Sequence, residues 1–141
     1  MYLLDTNIIS ELRKASSGRA DSGVVCWAEG VSPELLHLSA ISILELEMGV
    51  QRIERRDRVQ GVTLRRWLEE QVLPEFHARI LPVDESIART CAHLHTPDPQ
   101  PERDALIAAT AMVHQMTLVT RNSKDFESTG VGLLNPFSTA D

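Results

Sequence analysis

Five short apolar runs, each too brief to make a helix, are strung between longer segments whose apolar residues recur at helical period, and this alternation points to an α/β domain. The runs are Tyr2–Leu4, Leu36–Ser39, Arg79–Val83, Thr117–Thr120 and a weaker one at Gly132–Leu134. Between them the periodicity predicts helices at Ile8–Lys14, Gly23–Glu29, Ser42–Ile53, Val59–His77, Glu85–His95, Glu102–Gln115 and Ser123–Glu127. Helices between successive strands fit right-handed crossovers that feed a mostly parallel sheet and cover both of its faces. Ser16, Ser17 and Gly18 close the first helix, and the prolines of Thr96–Pro101 break the chain before Glu102. The length, 141 residues, leads us to expect one domain over residues 1–141.

Composition narrows the class further. With 43% apolar residues the chain can bury a core without disulfides or disorder. The nearly apolar run Ala105–Val113 is about half of the ~20 residues a spanning helix needs, and Asp5 interrupts the stretch where a signal peptide would be apolar. Cys26 and Cys91 stand in apolar helical segments and form no disulfide framework or ligand spacing, so we expect reduced core thiols and a cytoplasmic protein. Fourteen basic against twenty acidic side chains give a net charge of −6 and a pI near 5.3. That balance argues against holding nucleic acid by bulk charge alone, but not against a nuclease.

The positions of the acids carry the chemistry. Asp5 ends the first strand in YLLDTN, Glu45 follows the second in SAISILELEMG, Asp104 opens the helix of PERDALIAATA, and Asp125 opens the short helix after the fourth strand. In a parallel sheet, strand ends and helix starts share the edge where such sheets bind ligands, so four carboxylates are expected to converge. Each also has a plain structural reading as a helix-start acid: Ser42 with Glu45 matches a capping box, Asn122 with Asp125 resembles one, and Asp104 falls in a first turn soon after Pro101. Crowded like charges repel, however, and a bound cation relieves them; an all-oxygen site suits Mg²⁺ or Mn²⁺. His37, His77, His93, His95 and His114 are scattered, and no phosphate-binding glycine loop is present. Divalent ions held by carboxylates are equipment for hydrolysing phosphodiesters. Thr6, Asn7, Ser39, Thr120 and Asn122 lie around the acids, as hydrogen-bonding companions or as caps.

The segments LDTNIISEL (Leu4–Leu12), SAISILELEMG (Ser39–Gly49), RDALIAATA (Arg103–Ala111) and VTRNSKDFESTGVGLLNPF (Val119–Phe137) together resemble the PIN-domain toxins of the VapC and FitB-like type, over nearly the whole chain. The resemblance implies a three-layer α/β/α fold with a mainly parallel five-stranded sheet. It also implies Mg²⁺- or Mn²⁺-dependent endoribonuclease activity, inhibition by a cognate antitoxin that alone contacts operator DNA, and homodimers. Asp5, Glu45, Asp104 and Asp125 match the family's acidic site, Asp5 and Asp104 as direct ligands, with Thr6 and Asn122 as polar companions. Glu47 and Glu102 are further acids nearby. Asp84 also fits a recurrent family position, but we read it as a helix cap.

Arg52, Arg55 and Arg56, continued by Arg58, Arg65 and Arg66, are candidates for gripping an RNA backbone, or simply a solvated face interleaved with Glu54 and Asp57. Ile8, Ile9 and Leu12 suit either the core or a groove for an antitoxin helix. Trp27 and Trp67 are read as packing anchors. Two other functions share parts of this pattern. An aspartyl-phosphate phosphatase would want an acid two positions after Asp5, where Asn7 stands. The alternative to an enzyme is a catalytically weak module that binds an antitoxin and, through it, operator DNA.

Overall fold

The computed structural model describes residues 1–138. Strands β1 (Tyr2–Leu4), β2 (Leu36–Ser39), β3 (Ile80–Leu81), β4 (Thr117–Val119) and β5 (Leu133–Leu134) form a sheet in the order β3-β2-β1-β4-β5, with every neighbouring pair parallel. All five lie within or on the expected runs. The central strand β1 shows why the sheet is covered on both sides: alternate residues of a strand face opposite ways, and both Leu3 and Leu4 are fully buried. Leu4 packs with Ile8 and Ile9 of α1 (Thr6–Leu12), Val24 of α2 (Ser22–Glu29), and Leu46 and Val50 of α3 (Ala40–Arg56). On the other face, Leu3 packs with Ile107, Ala108 and Ala111. Tyr2 meets Trp27 edge to face at 5.2 Å, and both tryptophans pack against the Leu4 side of the core.

The remaining helices are α4 (Arg58–Trp67), α5 (Leu73–Phe76), α6 (Glu85–Leu94), α7 (Glu102–Val113) and α8 (Ser123–Phe126). The stretch read as one helix from Val59 to His77 comprises α4, a wider π-type turn at Leu68–Val72, and α5 with Pro74 near its start. That turn sets Leu68 and Val72 on the core side together with Phe76. Asp84 caps α6 by accepting from Ile87 N at 2.9 Å, as expected. Ile87 and Cys91 of α6 pack on Ala105 and Ala109, so α6 lies outside α7.

Two sequence expectations are corrected. Ser42 does not cap the helix of Glu45: α3 begins at Ala40, and Ser39 is its cap, accepting from Ile41 N at 3.0 Å. Ser42 lies buried inside the first turn. Cys26 is exposed, not a core thiol, whereas Cys91 is buried. Helix α2 is apolar on nearly every face (SGVVCWAE), so its composition does not say which side points inward.

The α3/α4 hairpin turns at Asp57, which accepts from Gln60 N at 3.1 Å. It closes tightly because residue 61 is glycine. A Cβ there would stand 2.7 Å from Glu54 Cα. Alanine gains about 1 kcal/mol in helix propensity, but overlap with a backbone atom outweighs that gain. Gly61→Ala is therefore expected to cost about 1–3 kcal/mol, read from the midpoint of urea unfolding.

Candidate active site

From β1 the chain steps to β2 on one side, while β4 is laid down on the other. The crevice beyond the carboxyl ends of β1 and β4 is therefore the point where the strand order reverses, and open parallel sheets bind ligands at such a point. A cleft of about 430 Å³ opens there, with Asp5, Thr6, Glu45, Asp104 and Asn122 among its lining residues. Three of the four expected acids and both polar companions thus meet in one place. Asp125, on α8, is exposed and stands beside Asp104, close enough for its charge to act on that carboxyl.

Asp5 is placed by backbone geometry. Extended at the end of β1, it caps α1, and its Oδ1 accepts from Thr6 N at 2.8 Å. Its Oδ2 accepts from the Thr120 hydroxyl at 2.8 Å. Thr120 follows β4 directly and is fully buried, and its oxygen also accepts from Asn122 N at 3.0 Å. The two neighbouring strand ends are thereby tied through one side chain. Asn7 adds a longer contact to Asp5 Oδ2 at 3.3 Å.

Thr6 joins the next acid. Its hydroxyl donates to Glu45 Oε1 at 2.7 Å, so it acts through its side chain on a site carboxylate, not as a helix cap. Arg103 approaches the other Glu45 oxygen at 3.4 Å. Asn122 is the residue before α8, but its side chain makes no cap bond, so the capping box with Asp125 does not form.

Electrostatics follow from this crowding. Burial pushes the Asp5 carboxyl above its ordinary value and the charges of Asp104 and Glu45 add to the rise, while hydrogen bonds from Thr120 and the Thr6 amide pull against it. Burial also raises Asp104, as do the charges of Glu45 and Asp125, with Arg103 opposing. Anionic oxygens concentrated in a partly dehydrated cleft make a place for a cation.

The other two nearby acids are turned elsewhere. Glu47 pairs with Arg65 of α4 at 2.7 Å, and Arg65 also holds Glu54 at 3.0 Å and Glu69 at 3.3 Å. Glu102 lies 3.2 Å from His95 Nε2 and 3.9 Å from Cys91 Sγ. Cys91 of α6 and His95 just past its end, four apart, thus do have a spacing compatible with metal ligation, contrary to the expectation of no ligand spacing. In this arrangement, though, His95 Nδ1 accepts from Gln100 N at 3.0 Å. A neutral imidazole with Nδ1 accepting carries its proton on Nε2, the nitrogen facing Glu102 and Cys91, which makes it a donor there.

Arg52, Arg55 and Arg56 are exposed on the last turns of α3 and are not among the described residues that line the cleft. The basic side chains that line it are Lys14 and Arg121, with Phe137 beside them. Arg121 stacks over the Phe137 ring at 4.8 Å. No motif in the sequence marks these three, although Arg121 immediately precedes Asn122.

The parallel sheet, its covering helices and the acids at the switch point define a PIN domain: the PIN-domain family model matches residues 2–131, and the chain belongs to that family. Among its relatives, it is 38% identical over 144 residues to Toxin FitB of Neisseria gonorrhoeae, covering 97% of this chain and 99% of that one. It is 36% identical over 145 residues to VapC ribonuclease Y4jK of Sinorhizobium fredii, covering 99% and 100%. The solved structure of FitAB bound to an IR36 DNA fragment superimposes with a TM-score of 0.87 at 33% identity, covering 100% of this chain and 99% of that one. Among the described residues no helix is long and apolar enough to cross a membrane.

Thr120→Val tests the tie between the strands. It removes the donor to Asp5 Oδ2 and the acceptor for Asn122 N while keeping the volume. Outer partners of metal-binding carboxylates are worth about 10–100-fold in affinity. Thermal shift against added Mn²⁺ is expected to show a weakening of that order.

Proposed function

We propose that this chain is a metal-dependent endoribonuclease that acts as the toxin of a type II toxin-antitoxin system. The observation carrying the proposal is the convergence of Asp5, Glu45 and Asp104 in one cleft at the sheet's switch point. Asp5 and Asp104 are assigned as direct ligands of Mg²⁺ or Mn²⁺, with Glu45 and Asp125 completing the acidic set. The donors fit such an ion: all are oxygens, and Asp5 and Asp104 have their charged forms disfavoured by burial and by neighbouring acids. The chemistry supplied by a bound divalent cation is polarisation of the scissile phosphate, a lowered pKa for an attacking water, and stabilisation of the leaving oxygen.

The chain's own residues do the positioning. Thr6 N and Thr120 Oγ1 fix both oxygens of Asp5, and Thr6 Oγ1 and Arg103 fix the orientation of Glu45. Asn122, at the cleft rim, is positioned to hydrogen-bond water or phosphate. The names of FitB and VapC support the toxin and ribonuclease assignments, and the DNA-bound FitAB complex supports an antitoxin that carries the pair to operator DNA. A homodimer is part of the same reading.

The test is direct. Purified protein freed of antitoxin is incubated with RNA in Mg²⁺, in Mn²⁺ and in EDTA. Cleavage in either metal and none in EDTA is expected. RNA left intact in both metals, with tight antitoxin binding retained, would instead establish the weakly catalytic interaction module.

A further inference from the structure

A second hollow, of about 780 Å³, lies between the turn that follows α1 and the helix α4. Its walls carry Arg13, Lys14, Arg19 and Arg66, against one acid among the described lining residues, Glu70. In a chain of net charge −6 this is a local inversion of sign. Lys14, paired with Glu11 of the cleft at 3.2 Å, lines both this hollow and the acidic cleft, so the two adjoin at that residue. Arg13 also lies over the ring of Trp67, with its guanidinium carbon 5.9 Å from the centroid.

The acidic cleft cannot supply affinity for a polyanion, because its own carboxylates repel phosphate until a cation is bound. Affinity must come from beside it. We propose that the Arg13–Arg19–Arg66 groove is the track that holds single-stranded RNA on one side of the scissile phosphate, with Lys14 as the hinge between track and cleft; this rests on the nuclease reading above. Charge complementarity argues for a polyanion. Adjacency to the cleft argues that the polyanion is the substrate: a strand lying in the groove reaches, past Lys14, the cleft lined by Asp5 and Glu45. Arg13 and Trp67, both in the groove wall, offer an unpaired base a guanidinium and an aromatic surface, which suits single strands better than duplex. The exposed arginines of α3, Arg52, Arg55 and Arg56, have no such connection to the cleft.

The test compares two triple variants, Arg13→Gln/Arg19→Gln/Arg66→Gln and Arg52→Gln/Arg55→Gln/Arg56→Gln. Binding of a long unstructured RNA is followed by anisotropy in the Asp104→Asn background and in EDTA, which together suppress cutting, over a range of salt. Each phosphate contact on a single strand contributes about 0.7 to the slope of log K against log salt. The groove triple is expected to lower that slope by about 2 and to weaken binding at least about tenfold. The α3 triple should lower it less. In the cutting-competent protein the groove triple raises KM for long RNA with kcat unchanged, and leaves cleavage of an oligonucleotide short enough to fill only the cleft as it was. Unfolding midpoints matching the parent exclude a folding defect. An unchanged salt slope in the groove triple overturns the proposal, as does a slope carried by the α3 triple. So does a groove triple that binds RNA normally but no longer binds the antitoxin, which would make the groove a protein-docking surface. If the parent protein cuts no RNA, the nuclease reading fails on its own, and the binding data still judge the groove.

Discussion

Asp5→Asn and Asp104→Asn are each expected to slow metal-dependent RNA cleavage by at least about a hundredfold, since changes to outer partners of a metal site alone cost about 10–100-fold. Both variants should nevertheless fold. For Asp104→Asn the metal-free protein should be more stable than the parent at neutral pH, because the substitution removes a carboxylate whose charged form is disfavoured by burial and by Glu45 and Asp125. The sign follows from proton linkage: a carboxyl raised in the folded state holds its proton at pH values where the unfolded chain has released it, so stability falls as pH rises through that window. Above the window the penalty is complete. The gain in Asp104→Asn is thus a few degrees in Tm near pH 7 and shrinks as pH falls toward the ordinary aspartate range. Asp5→Asn gains less, because Thr6, Asn7 and Thr120 already surround that carboxylate with donors. Added Mn²⁺ should reverse the ranking, stabilising the parent and leaving both variants unmoved. Equal cleavage by parent and variants would remove these two residues from the site.

Leu4→Ala, one residue from Asp5, should behave in the opposite way. Leu4 is fully buried on the central strand, within the cluster formed by α1, α2 and α3. Truncation there is expected to cost about 2–5 kcal/mol, a large share of the 5–15 kcal/mol that holds a typical domain together. Activity falls with the folded fraction, so the loss should be recovered on cooling or on adding a ligand of the native state. The paired measurement is urea unfolding together with cleavage at two temperatures. A chemical defect at Asp5 and a packing defect at Leu4 then separate cleanly, although the two residues are adjacent.

Much of the frame is legible in the residues themselves. Leu36–Ser39 reads as a strand with the right bounds because a short apolar run soon after Pro33 passes directly into a helix signal. Asp5, Glu45 and Asp104 are legible because parallel topology sends strand ends and helix starts to one rim, and because these three acids fall beside those points. What stays hidden depends on choices between near-equivalent patterns. Ser39 and Ser42 both stand three residues before a polar side chain in SAISILELE, and only the strand end decides which one caps the helix. The grip of Arg65 on Glu47 and Glu54 depends on the closeness of α3 and α4, which Gly61 permits and no periodicity reports. The meeting of Cys91 with His95 and Glu102 likewise needs the packing of α6 on α7.

The bond between Thr120 and Asp5 spans 115 residues of sequence. Strand β1 is made first, but its carboxylate has no Thr120 and no β4 edge beside it until most of the chain has been synthesised. Contacts of such separation form late, after loop closure has been overcome. The site is therefore unfinished until the chain as far as Thr120 is available to fold. For a nuclease, such a strand order makes activity wait on the joining of β1 to β4.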